Sequence, residues 1–137
     1  MTLPVVILTG GLGRRLGQKT SNKAKALIDV AGKPFISRQL NYLYEQGIKE
    51  VVLCVAHFGE QIKDYIGNGS SYKLKITYSE DGDKLLSTGG SAKKASQILD
   101  KNFFILYGDS FLPINFSRIE KAFFQEKKPF FTCLINH

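Results

Sequence analysis

The sequence predicts an α/β fold, a three-layer α/β/α sandwich around a mostly parallel sheet. Three observations carry that prediction. Apolar runs at 3–8, 50–56 and 103–107 are short and continuous rather than alternating, as in strands covered on both faces. Stretches with helical apolar spacing separate them, so strands and helices take turns along the chain. Glycines follow closely, at Gly10-Gly11 and Gly108, and end the first and last of these runs abruptly.

The first strand is Leu3-Pro4-Val5-Val6-Ile7-Leu8. A connection over 22–30 closes on the apolar piece Ala26-Leu27-Ile28-Asp29-Val30 and the turn Ala31-Gly32-Lys33-Pro34. Proline suits a first helical position, so a helix begins at Pro34, with Phe35, Ile36, Leu40, Leu43 and Tyr44 on its apolar face and Gly47 as C-terminal cap. Residues 50–56 form the second strand. A short helix over 59–66 places Ile62, Tyr65 and Ile66 on one face and closes at Gly67-Asn68-Gly69. Residues 72–78 alternate, as in a third, less buried strand. A helix over 87–99 carries Ala92, Ala95, Ile98 and Leu99, with Ser87 and Thr88 available to cap its start. Residues 103–107 are the fourth strand, followed by Gly108-Asp109, a helix over 114–127 and a fifth strand over 129–135. The chain stops directly after that strand, which suggests the first part of a longer domain.

At 137 residues and 43% hydrophobic, the chain is sized for one domain with its own core. Its formal net charge of +7 and pI near 9.4 invite a nucleic-acid reading. The charge is nevertheless spread over Lys73, Lys75, Lys93, Lys94, Lys121, Lys127 and Lys128, with no interleaved aromatic platform, so no nucleic-acid partner is expected. Cys54 and Cys133 lie inside apolar runs without a paired-cysteine motif or histidine cluster, and read as core thiols. Met1-Thr2-Leu3-Pro4 carries no basic leader or cleavage site, and no run is long enough to span a bilayer, so a cytoplasmic protein without a membrane partner is expected.

The chemistry concentrates behind the first strand, in Leu8-Thr9-Gly10-Gly11-Leu12-Gly13-Arg14-Arg15-Leu16. Gly10, Gly11 and Gly13 lack the Cβ atoms that keep backbone away from a ligand, so successive N–H groups can converge on an anion. Before Asp29 the chain carries Arg14, Arg15, Lys19, Lys23 and Lys25 and no carboxylate. This loop is not a P-loop, since Gly17-Gln18 stands where Gly-Lys is needed. It fits the dinucleotide fingerprint poorly, because the third glycine would fall at Leu16.

Leu8 to Leu16, then Lys25, then Gly32-Lys33-Pro34, resembles the signature of the sugar-phosphate nucleotidyltransferases. Leu86-Ser87-Thr88-Gly89-Gly90-Ser91-Ala92 and Leu106-Tyr107-Gly108-Asp109 resemble two further segments of that family, in the same order. Ala56-His57-Phe58-Gly59-Glu60-Gln61-Ile62 and Tyr65-Ile66-Gly67-Asn68-Gly69 are similar to the branch that makes guanosine-diphosphate sugars from heptose or mannose 1-phosphate. Ala24 departs from the pattern, standing where the family has proline, and Ser87 replaces a glycine.

The resemblance implies a Rossmann-like sheet of the nucleotide-diphospho-sugar transferase type, with 1–137 as its nucleotide-binding N-terminal portion. It implies a reaction in which a sugar 1-phosphate attacks the α-phosphorus of a nucleoside triphosphate, GTP being favoured, and pyrophosphate leaves. Arg15 would hold the β- and γ-phosphates through its bidentate guanidinium, and Lys25 would sit nearer the α-phosphate. Leu8, Gly10, Gly11 and Gly13 would offer backbone groups to the nucleotide, with Glu80 and Gly90 facing it from the other side. Asp109 would hold Mg²⁺. From position alone Asp109 reads equally as a turn residue, and the cations as a solvated basic loop. A nucleotide-binding module without catalysis remains the alternative, and a half-built site would favour a homo-oligomer.

Overall fold

The computed structural model describes residues 2–9, 23–56, 58–80, 88–111 and 113–127. Four parallel strands form its main sheet: β1 (Val5–Leu8), β4 (Glu50–Val55), β5 (Lys75–Glu80) and β6 (Phe104–Tyr107). They lie in the order β5-β4-β1-β6. A two-stranded ribbon, β2 (Asp29–Val30) against β3 (Lys33–Pro34), precedes the first helix. The helices are α1 (Phe35–Glu45), α2 (Gly59–Ile66), α3 (Thr88–Leu99) and α4 (Phe116–Glu126).

Strand pleating divides the core. Val5, Ile7, Val51, Leu53 and Val55 face Ile36, Leu40 and Leu43 of α1 and Ile62 and Ile66 of α2. Phe116, at the start of α4, joins this face and meets Phe104 edge-on at 5.2 Å between ring centres. Val6, Val52 and Cys54 project to the other face, against Ala95 and Leu99 of α3. β1 and β4 read as continuously apolar because both of their faces are covered. β6, an end strand of the described sheet, packs only its Phe104 and Leu106 side against the core and leaves Ile105 and Tyr107 exposed, against the two-sided cover its apolar run predicts. The expected α/β/α layering is the one observed.

Several expectations shift. Pro34 is the N-cap of α1 rather than its first helical residue, with extended ψ of 141°, because it still pairs with Asp29 in the ribbon, which the Phe35 N–H closes by donating to the Ile28 carbonyl at 3.0 Å. Tyr44, Tyr65 and Ile98 are exposed, on the outer flanks of their helices, whereas Ser37 and Gln39 are buried. The third strand begins at Lys75, and Tyr72 belongs to a 3₁₀ turn, Ser70–Tyr72. The chain reverses there through left-handed Gly69 and Lys73, and a Cβ on Gly69 would come within 2.4 Å of the Leu74 carbonyl. That turn uses up the residues whose alternation suggested an earlier start. The last described helix starts at Phe116, capped by the Asn115 side chain, which accepts from the Arg118 N–H at 3.1 Å. The expected fifth strand and Cys133 lie outside the described residues. Among the described residues, no helix is long and apolar enough to cross a membrane.

Candidate active site

Strand order locates the site. From β1 the chain steps to β4 and then β5 on one side, then returns to place β6 on the other side of β1. The order thus reverses at the β1–β6 seam, and in open parallel sheets ligands bind outside the carboxyl ends of the strands at such a point. The residues that leave β1 and β6 are Thr9 and Gly108.

These two exits interlock. The Gly108 N–H donates to the Leu8 carbonyl at 2.9 Å. A Cβ on Gly108 would lie 2.7 Å from that oxygen and 3.1 Å from Thr9 Cγ2, so only glycine permits the approach. Thr9 is buried and donates to the Cys54 carbonyl twice, from its N–H at 2.9 Å and from Oγ1 at 2.6 Å. The glycine-rich stretch accordingly departs from a root tied to β4 and β6 alike. Leu8 contributes its carbonyl to that root.

Lys25 comes to the same place from a different direction. It opens a 3₁₀ turn, Lys25–Leu27, whose Ala26 and Leu27 are anchored in the core. Ala24 before it donates its N–H to Gln61 Oε1 at 2.7 Å. A proline at this position would have no N–H to give; α2 instead holds the turn through Gln61. Lys25 Nζ then lies 3.4 Å from Asp109 Oδ2, just past β6. Two residues singled out on the sequence for phosphate and metal are thus brought together.

Glu80 ends β5 at the same edge. Lys63 of α2 pairs with its carboxylate, and Lys94 of α3 donates to its carbonyl, so lysines from both helical layers converge on it. The Lys63 hydrogen bond holds the Glu80 carboxyl below its ordinary 4.5, and the same bond raises Lys63 above 10.5. Glu80 borders a recess of about 470 Å³ lined by Val55, Ala56, Phe58, Gly59, Glu60 and Gln61. Gly90 lies in the first turn of α3, next to Ser91, whose carbonyl receives the Cys54 thiol at 3.9 Å. Gly10, Gly11, Gly13 and Arg15 lie outside the described residues.

Lys63, Lys94, Thr9 and Gln61 escaped the sequence reading. Lysines on helix flanks carry no signal of a shared partner, because only the fold brings 63, 80 and 94 together. Thr9 had a faint one, a hydroxyl directly between a buried strand and glycines.

A family model described as nucleotidyl transferase matches residues 4–136. The chain belongs to the nucleotidyl transferase family. Within that family it is 36% identical over 116 residues to an N-acetylmuramate alpha-1-phosphate uridylyltransferase from Neisseria meningitidis, covering 84% of this chain and 50% of the relative. It is 35% identical over 118 residues to a D-glycero-alpha-D-manno-heptose 1-phosphate guanylyltransferase from Campylobacter jejuni, covering 86% of this chain and 52% of the relative. Among solved structures, HddC from Yersinia pseudotuberculosis complexed with GMP-PN superposes with a TM-score of 0.80 at 28% identity, over 89% of this chain and 54% of that one. This nucleotidyl transferase chain spans about half the length of the curated relatives it matches.

Proposed function

We propose that this chain forms the nucleotide-binding part of a sugar-1-phosphate nucleotidyltransferase, which joins a nucleoside triphosphate and a sugar 1-phosphate into a nucleoside-diphosphate sugar and releases pyrophosphate. The observation that carries the reading is the meeting of Lys25 and Asp109 at 3.4 Å, at the seam where the strand order reverses, in a chain matched by the family over 4–136. Nucleotidyl transfer needs positioning and charge neutralisation rather than a protein nucleophile. Lys25 is a point charge on a flexible stem, able to exchange the Asp109 carboxylate for an α-phosphate oxygen. Arg15 takes the β- and γ-phosphates, with Gly10, Gly11 and Gly13 offering backbone N–H groups beside it. Glu80 and Gly90 border the nucleotide from the β5 and α3 side.

Asp109 suits Mg²⁺ delivered with a triphosphate. Among the described residues no three histidine, cysteine, aspartate or glutamate side chains gather as a cage, and the Asp109 side chain is 54% exposed. Mg²⁺ commonly keeps several waters and takes one or two carboxylates plus substrate phosphates, so one accessible carboxylate fits it. When bound, the ion would offset charge on the phosphates. GTP is the triphosphate we favour, on the likeness to a heptose 1-phosphate guanylyltransferase and to a structure complexed with GMP-PN. We place the reaction in the cytoplasm, where nucleoside triphosphates are abundant, and the working form as a homo-oligomer.

The test is pyrophosphate release from GTP, UTP or CTP with a panel of sugar 1-phosphates. Release that requires both substrates and is lost in Arg15→Ala and Lys25→Ala supports the reading. Saturable nucleotide binding without turnover would instead establish a binding module.

A further inference from the structure

Helix α1 turns an amide side chain onto the carboxyl edge of the sheet. Gln39 is 4% exposed, on the buried face of α1 with Ile36, Leu40 and Leu43. Its Nε2 donates to the Ser110 carbonyl at 2.8 Å and reaches the Tyr107 carbonyl at 3.4 Å. These are the last and first carbonyls of the turn Tyr107-Gly108-Asp109-Ser110, which the Ser110 N–H closes onto Tyr107 O at 3.2 Å. One nitrogen thus spans the turn that carries Asp109.

Two carbonyl acceptors need two N–H donors on one nitrogen, which orients the carboxamide. Its Oε1 is then buried without a hydrogen-bond partner among the described residues. A buried acceptor left unmade is unfavourable, and an apolar side chain at this position of α1 would avoid that loss. Packing alone therefore does not account for a glutamine here; its grip on the turn does. Gly108 packs closely on Leu8 and Thr9 while Gln39 holds the carbonyls at the two ends of the turn.

We infer that Gln39 is a positioning residue for Asp109, fixing from α1 the backbone that presents the carboxylate to a nucleotide-bound cation. The inference rests on the reading of Asp109 as the metal ligand. Its test measures the GTP dissociation constant of the full chain with Mn²⁺ and again in EDTA, the ratio of the two being the metal coupling. Asp109→Asn should bring that ratio close to unity. Gln39→Met, of similar length but without donors, should weaken the coupling about tenfold, the scale on which outer-shell partners of metal ligands act, while leaving GTP affinity in EDTA within about twofold. Hydrogen exchange in EDTA should quicken at the Ser110 amide and stay unchanged at Leu53.

Gln39→Glu supplies an independent variant. Burial and the facing carbonyls raise the midpoint of this carboxyl; ionised, it opposes the turn carbonyls, and protonated it donates again, so its coupling relative to the unmodified chain should recover as pH falls from about 8 to about 6. Coupling that Gln39→Met leaves intact, or a Gln39→Glu deficit that ignores pH, overturns the inference while the reading of Asp109 stands. An unmodified chain that binds GTP without any coupling dependent on Asp109 overturns both.

Discussion

Lys25 and Asp109 stand 84 positions apart in sequence and 3.4 Å apart in space. An ion pair this exposed contributes about 0–1 kcal/mol, so stability does not explain it. Lys25→Ala should therefore leave the thermal midpoint nearly unchanged while lowering turnover on the order of a hundred- to a thousandfold, the scale of losing one donor to developing charge. Steady-state pyrophosphate release and thermal melts on the same samples check the pair of outcomes. Gly108→Ala should instead reduce stability by about 1–3 kcal/mol because its methyl group meets the Leu8 carbonyl, as chemical denaturation would show. Glu80 offers a titration. Its lowered value means that its pairing stabilises the fold above 4.5 and is lost as pH falls through the folded-state value; Lys63, being raised, keeps its contribution below 10.5 and loses it as pH rises through its own. Carbon-detected NMR of the Glu80 carboxyl should show its midpoint moving up toward 4.5 in Lys63→Met.

Among elements, α1 and the 3₁₀ turn before it show what periodicity reveals and what it hides. Ile36, Leu40 and Leu43 were legible as a buried stripe, and Leu40→Ala should cost about 2–5 kcal/mol as a cavity in the face shared with β1 and β4. The burial of Gln39 on that same helix was not legible, since its partners are carbonyls at the end of β6 and just past it. The Lys25 turn gives a second case. Ala24 has φ of −58°, which proline adopts freely, yet its N–H is engaged by Gln61. Ala24→Pro should thus destabilise the chain by about 1 kcal/mol despite the favourable φ, because the lost hydrogen bond outweighs the smaller unfolded-state entropy. Urea titration measures the difference.

For the whole molecule, the decisive arrangement is the order β5-β4-β1-β6. It puts the roots of the glycine-rich stretch and of the Asp109 turn side by side, and sets Glu80 two strands further along the same edge. The family match over 4–136 agrees with three motifs that were legible in order along the chain. Relatives that differ in base, uridylyl and guanylyl, share this half of their length with it at nearly equal identity. Likeness over this half therefore singles out no base, and the panel of triphosphates reads the choice directly.

Strand and helix types, the double-sided burial of β1 and β4 and the family signature were all determined by the sequence itself, because apolar periodicity and glycine placement are local properties of the chain. Lys25 and Asp109 could be named from their motifs for the same reason. Their contact, the Gly108–Leu8 interlock, the lysines around Glu80 and the reach of Gln39 were decided by tertiary structure alone. Each joins groups on different elements, and the packing that sets their distances at the carboxyl edge is a sum over many residues that no local pattern records.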